Sequence, residues 1–288
     1  MQIQSLSVVV PATCPNRCPF CVSRFNKANQ AFTQGTDLID SRTSLKTRMT
    51  FARENGCNTL MITSTGEVFK NPTYVNTILY CNSVLKSPFK WIELQTSGYG
   101  LSEHFIKSGL AKEVSWVSLS MIDPVNLKAN QHAMGLTFKM EDVFSLLKEH
   151  DINMRLSLNL TDIYSEFKRA DWKNLLKKIF EKGFKQVTFR ILYSDSSDKE
   201  QSNWIKKHGL GENTEAIVAL QEYIRQEGYL LGKLPFGAAK YSIEGMCTII
   251  DDDCMAQSVK DIDTYKSLIL RQDGRLYTSW ADNASLLF

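Results

Sequence analysis

The order of apolar runs predicts an α/β protein, a partial (β/α)6 barrel followed by a C-terminal extension that carries a β-hairpin. Three observations predict it. Short strand-like runs alternate with longer helical patterns through residue 228, giving six strand–helix units. Strands that alternate with helices form a parallel sheet with helices outside, and right-handed crossovers curl that sheet. The residues able to do chemistry fall at the carboxyl ends of the strands, where folds of this kind bind ligands.

The units follow in order. Ile3 to Val10 reads as a strand, and a cysteine-bearing loop follows it directly. Asp37 to Asn55 has helical spacing and ends at Gly56, a usual helix stop. Thr59 to Thr63 is an apolar strand, and Pro72 to Leu85 a helix with Pro at its start. Trp91 to Thr96 is a strand, and Ser102 to Ser108 a short helix ended by Gly109. Val114 to Met121 is a strand, and Glu141 to Glu149 a helix. Ile152 to Leu160 alternates cleanly as a strand, and Phe167 to Glu181 is an amphipathic helix closed by Gly183. Gln186 to Leu192 is the sixth strand, and Glu215 to Gln226 the last helix, closed by Gly228.

Beyond Tyr229 the alternation stops. Leu230 to Phe236 and Lys240 to Ile250 read as extended or irregular. Tyr265 to Leu270 and Leu276 to Trp280 flank Arg271-Gln272-Asp273-Gly274-Arg275. Asp-Gly between two apolar runs is a strong hairpin signal. The expected organisation is a barrel over residues 1–228 and an extension over 229–288 that caps it.

Composition narrows the classes. The chain has 288 residues, 43% hydrophobic, enough for one sizeable core. A net charge of +3 makes no electrostatic case for a nucleic-acid partner. No apolar run is long enough to span a bilayer, so no membrane role is expected. Met1 to Val10 enters a strand pattern with no charged n-region and no cleavage site, so no export signal is read. A thiol-rich chain without one is expected in a reducing cytoplasm.

Cys14, Cys18 and Cys21, in Cys-Pro-Asn-Arg-Cys-Pro-Phe-Cys, carry the functional signal. The C-x3-C-x2-C spacing lets one loop place three thiolates around one metal centre. A cubane iron–sulfur cluster has four irons and prefers soft thiolate ligands, so three leave one iron open to a small molecule. Structural zinc wants four closed ligands, and the nearest histidine is His104, far along the chain. The cysteine count of seven is odd, which argues against a disulfide framework. Pro15, Asn16, Arg17 and Pro19 make a loop there and not a packed strand.

The motif resembles the signature of the radical S-adenosylmethionine (radical SAM) superfamily, including the aromatic Phe20 before the last cysteine. The resemblance implies a partial (β/α)6 barrel and a [4Fe–4S] cluster on Cys14, Cys18 and Cys21 whose open iron is chelated by SAM. It implies reductive cleavage of SAM to methionine and a 5′-deoxyadenosyl radical, with Phe20 near the adenine. An electron donor such as flavodoxin or ferredoxin is implied as partner.

Further candidates lie at strand ends. Ser64-Thr65-Gly66-Glu67 resembles the family's Gly-Gly-Glu motif with Thr65 in place of the first glycine. A glycine lets backbone carbonyls approach an ammonium group closely, and Glu67 adds a charge-assisted contact; the alternative is an ordinary strand-to-helix turn. Thr96 and Ser97 before Gly98 resemble the family's Thr-Asn-Gly turn. Ser118 and Ser120 alternate on the fourth strand and share a side. If that side is the barrel interior, their hydroxyls suit the SAM ribose or carboxylate; the period alone does not give the face. Ser157, Asn159 and Arg190 are candidates of the same type. Arg190, in an apolar strand, needs a partner, whether a carboxylate of SAM or substrate or a protein Asp or Glu.

The Asp-Gly hairpin resembles that of the GTP-cyclising enzymes of molybdopterin synthesis. Those bind a second cluster with three C-terminal cysteines, whereas here the region holds Cys247 and Cys254. A second cluster is therefore not expected. Asp251-Asp252-Asp253 is read as a charged loop tip or a cation site. Arg271 and Arg275 are read as solvated or as phosphate contacts.

The expected function is a radical SAM enzyme, an oxidoreductase or lyase, acting on a small molecule, nucleotide-like molecules included. A peptide- or protein-modifying enzyme of the same superfamily, glycyl-radical activases among them, is the second reading. A non-enzymatic iron–sulfur redox protein is the third. It is disfavoured because electron-transfer cubanes usually take four cysteines.

Overall fold

The computed structural model describes residues 2–25, 41–108, 110–194, 198–234, 238–251, 264–280 and 282–287. The chain divides into two compact units. One comprises Met1–Pro15, Ser23–Val117 and Met255–Phe288; the other comprises Asn16–Val22 and Ser118–Cys254.

The first unit is built on β1 (Gln2–Val10), β2 (Thr59–Ser64), β3 (Trp91–Thr96), β10 (Thr264–Leu270) and β11 (Leu276–Tyr277), in the order β11–β10–β1–β2–β3. β10, β1, β2 and β3 run parallel, and β11 folds back antiparallel on β10. Leu6 pairs with Leu268 on one side and Leu60 on the other, and Leu60 with Ile92. All four are buried. On the opposite side of β1, between Ile3 and Val9, lie two serines, with the Ser267 hydroxyl 2.8 Å from that of Ser7 and 3.3 Å from that of Ser5. The helices are α1 (Ser41–Glu54), α2 (Pro72–Ser83) and α3 (Glu103–Lys107). Pro72 opens α2, and the Asn71 side chain accepts from the Tyr74 N–H as its cap.

The second unit orders β5 (Met154–Asn159), β6 (Phe184–Arg190), β9 (Met246–Asp251), β8 (Ala239–Ile243) and β7 (Tyr229–Lys233) side by side. β5, β6 and β9 are parallel, and β8 and β7 follow antiparallel. Leu156 and Leu158 pair with Val187 and Phe189, a buried apolar face. Helices α4 (Leu127–Met134), α5 (Met140–Glu149), α6 (Arg169–Glu181), α7 (Lys199–His208) and α8 (Glu215–Glu227) accompany these strands. The fully buried Trp172 of α6 packs its ring on Phe189, Tyr164 and Phe167 and donates its indole N–H to the Ala216 carbonyl of α8. β4 (Trp116–Met121) runs across the division between Val117 and Ser118.

All six expected strands form, within two residues of the expected bounds. α1 is described from Ser41, so the expected first residues 37–40 lie outside the described residues, as do Gly109, Asp252, Asp253 and Cys254. Two helices were not expected, α4 and α7. The buried residues of α7 are the polar Gln201 and Ser202, and the short α4 buries Asn130 between Leu127 and Met134, so apolar periodicity is weak. Their caps were legible: Asn126 and Asp198 each accept from a first-turn N–H, and Gly135 closes α4 with φ of 64°.

Candidate cofactor site

The cysteine loop leaves the carboxyl end of β1. Cys14 is exposed, and Cys18 and Cys21 are half-buried. Cys57 and Cys81, by contrast, are buried in the first unit. Burial pushes the Cys57 thiol up to about 11 and raises that of Cys81, so both stay protonated and inert. Half-buried Cys247 is also raised, mainly by burial and against the pull of Lys240 and Arg155. Among the described residues no three Cys, His, Asp or Glu side chains are drawn together as a metal set. The Cys18 thiol instead faces the Met134 carbonyl at 3.9 Å. Thiols converge when deprotonated around a metal, and the exposure and softness of these three suit one.

In the first unit the loop before Cys14 is stitched to the segment after β2. The Ser64 hydroxyl donates to the Val10 carbonyl at 2.8 Å and accepts from the Gly66 N–H at 2.8 Å. The Glu67 N–H donates to the Thr13 carbonyl at 3.1 Å, and the Asn71 amide to the Pro11 carbonyl at 3.1 Å. A Cβ on Gly66 would stand 2.1 Å from the Ala12 carbonyl oxygen, so two backbones meet where no side chain fits. This is a cradle of fixed peptide groups.

Glu67 does not project from that cradle. It is buried, and its carboxylate accepts from the Thr96 hydroxyl at 2.5 Å and from the Ser97 hydroxyl and N–H at 2.5 and 2.9 Å. Burial raises its pKa, and these donors, with the Phe69 N–H, oppose the rise. Glu67 and Thr96, read from the sequence as separate candidates, are brought together as a staple between the ends of β2 and β3. The Thr96 hydroxyl, the Ser97 hydroxyl and N–H and the Phe69 N–H all engage this carboxylate. Half-buried Thr65 bonds the Gln272 amide at 3.0 Å.

In the second unit Phe20 is buried, with its ring centroid 5.6 Å from that of Trp204. Its carbonyl accepts from the Gln201 amide at 3.2 Å. The Arg17 N–H donates to the Met134 carbonyl, so the end of α4 also fixes the loop. Ser118 is buried and Ser120 half-buried on β4. The Asn159 amide donates to the Ser120 hydroxyl at 3.0 Å and the Met121 carbonyl at 3.1 Å. Arg190, beside Asn159 in register, reaches the Ser157 hydroxyl at 3.4 Å. The two sequence candidates on β5 therefore meet the one on β6. Gln201 and Trp204 were missed by the sequence reading because α7 was missed, and Gln272 because its hairpin was read for the flanking arginines.

Arg271 departs from both readings given to it. Its guanidinium is buried over the Tyr277 ring at 3.7 Å and donates to Asn283 and to the Ser279 and Asp282 carbonyls. It ties the residues after β11 to the hairpin and is neither solvated nor turned to a phosphate.

No family profile and no curated protein match this chain. Solved structures do. SuiB of Streptococcus suis bound to S-adenosylmethionine matches with a TM-score of 0.60 at 13% identity, over 96% of this chain and 60% of SuiB. SuiB bound to its precursor peptide SuiA matches at 0.55 and 12% identity, over 97% of this chain and 60% of that one. Another SuiB structure matches at 0.60 and 11% identity, over 99% and 67%. The chain therefore shares the mixed α/β fold of SuiB, and the α/β class is the one the sequence predicts. The chain spans about three fifths of the SuiB chains solved with ligand.

Proposed function

We propose that this chain is a radical SAM enzyme in which Cys14, Cys18 and Cys21 hold a [4Fe–4S] cluster. The observation that carries this reading is the C-x3-C-x2-C loop at the carboxyl end of β1, in a chain with the fold of a SAM-binding protein. When bound, cluster and SAM supply reductive cleavage of SAM and a 5′-deoxyadenosyl radical that abstracts hydrogen from a substrate. The chain's own residues bind and orient. Thr65 and Gly66 present peptide carbonyls to the SAM ammonium, and Glu67 with Thr96 holds that segment still. Phe20 lies against the adenine. Ser118, Ser120 and Asn159 offer hydroxyl and amide groups to the ribose or carboxylate, and Arg190 pairs with a carboxylate. A flavodoxin- or ferredoxin-like donor supplies the electron, and the protein works in the cytoplasm. Among the described residues no helix is long and apolar enough to cross a membrane.

The substrate in the first reading is a small molecule, nucleotide-like molecules included. A peptide substrate is the second reading, favoured by the structure of SuiB with its precursor peptide. The test is anaerobic reconstitution with iron and sulfide, then dithionite and SAM, with 5′-deoxyadenosine quantified. Cys18→Ala is expected to lose product to the background level. A stable cluster that never yields 5′-deoxyadenosine would overturn the enzyme reading. Nucleotides and synthetic peptides are then ranked by how far each stimulates the product.

A further inference from the structure

Gln272 lies in the turn between β10 and β11, in the same unit as β1 and β2, and is buried. Its side-chain amide donates to the Val10 carbonyl at 3.4 Å and to the Thr65 hydroxyl at 3.0 Å. Val10 ends β1 and precedes the cysteine loop; Thr65 begins the cradle. The same Val10 carbonyl takes the Ser64 hydroxyl that in turn holds the Gly66 N–H. One side chain from the far end of the sequence thus grips both halves of the cradle. Among the described residues its buried Oε1 has no hydrogen-bond partner. A buried acceptor left unmade is unfavourable, and an apolar side chain of similar volume would pack without that cost. Packing alone therefore gives no reason for a glutamine here.

Resting on the reading of Thr65–Glu67 as a SAM-holding segment, we propose that Gln272 is a positioning residue of the cofactor cradle. It acts through Thr65. It fixes the Thr65 hydroxyl against the end of β1, so that the Gly66 peptide is held in one orientation. The C-terminal hairpin is then part of the cofactor site.

The test compares wild type, Gln272→Met, Thr65→Val and the double variant. Methionine keeps the volume and removes the amide. SAM binding to the cluster-loaded protein is measured by equilibrium dialysis, and amide exchange at Gly66 and Glu67 in the metal-free chain. Each single variant is expected to weaken SAM binding about tenfold, the size of one lost hydrogen bond. The double variant is expected to lose no more than the weaker-binding single one, because both break the same contact. Exchange at Gly66 and Glu67 is expected to quicken in Gln272→Met. Additive losses overturn the route through Thr65. Unchanged affinity with a lowered melting temperature overturns the positioning role in favour of packing. If wild type itself fails to bind SAM, the cofactor reading falls; unchanged exchange in the metal-free chain overturns the role of Gln272 whatever happens with SAM.

Discussion

The two units repeat strand and helix in the same way but hold their candidate residues differently. In the first, Ser64, Gly66, Glu67, Thr96, Ser97 and Gln272 are bound to one another or to backbone, at 3.0 Å or less for most of the contacts. In the second, Ser120, Ser157 and Arg190 are half-buried, and the Arg190–Ser157 contact is 3.4 Å. A prearranged polar cluster suits a ligand that never changes, because its geometry is fixed before binding. Half-buried side chains with longer contacts keep freedom to re-pair when a ligand arrives. The strands of the two units end in different ways too. In the first unit β10 and β11 follow beside β1 and deliver Gln272. In the second, β9, β8 and β7 follow beside β6. β7 is exposed along its whole length and delivers no candidate side chain.

The sharpest way to break this comparison sets one glycine against another. A Cβ at Gly66 meets the Ala12 and Thr13 backbone at 2.1 to 2.6 Å, which a main chain cannot yield without moving. Gly66→Ala is expected to destabilise by about 3 kcal/mol or more. Gly135 in the second unit has φ of 64° but its nearest neighbour, Arg17, stands at 3.4 Å. Gly135→Ala is expected to cost about 1 kcal/mol, from backbone strain rather than collision. Urea denaturation of both variants checks the order, and the reverse order would remove the claim that the first unit is the tighter one.

Asn159 offers a second, smaller break. Alanine there removes the bonds to Ser120 and to the buried Met121 carbonyl. The expected cost is about 1–2 kcal/mol in the same measurement. A loss as large as that of Gly66→Ala would mean that the second unit is equally prearranged.

Much of this was legible in the sequence, for physical reasons. β5 announces itself because its sequence alternates and the burial of its first four residues follows the same period. The cysteine loop announces itself because metal chemistry fixes residue type and spacing together. α7 was hidden because its buried residues are Gln201 and Ser202, and α4 because it is only eight residues long and buries Asn130 between Leu127 and Met134. The staple of Glu67 on Thr96 and Ser97 joins residues about 30 apart in the chain, a pairing that no local pattern encodes. Gln272 joins residues 207 and 262 positions away, through a hairpin whose existence was plain but whose neighbours were not.

The smallest expected effect concerns the charge on Glu67. Its carboxyl is held above the model-peptide value of 4.5, chiefly by burial. The folded state therefore binds the proton more tightly than the unfolded one. The sign follows: the stabilisation is fully present below about 4.5 and is lost as pH rises through the higher folded value. In Glu67→Gln the amide can donate to Thr96 while its oxygen accepts from Ser97, reproducing the protonated pairing at every pH. The variant is expected to fold and to lose this component of the decline in melting temperature above that pH, so its advantage over wild type should grow toward neutral pH. Melting temperatures of the two proteins across pH 4 to 8 check it. Parallel curves would show that the Thr96 and Ser97 donors offset burial completely, making the cradle more strongly prearranged for a charged carboxylate than its burial implies.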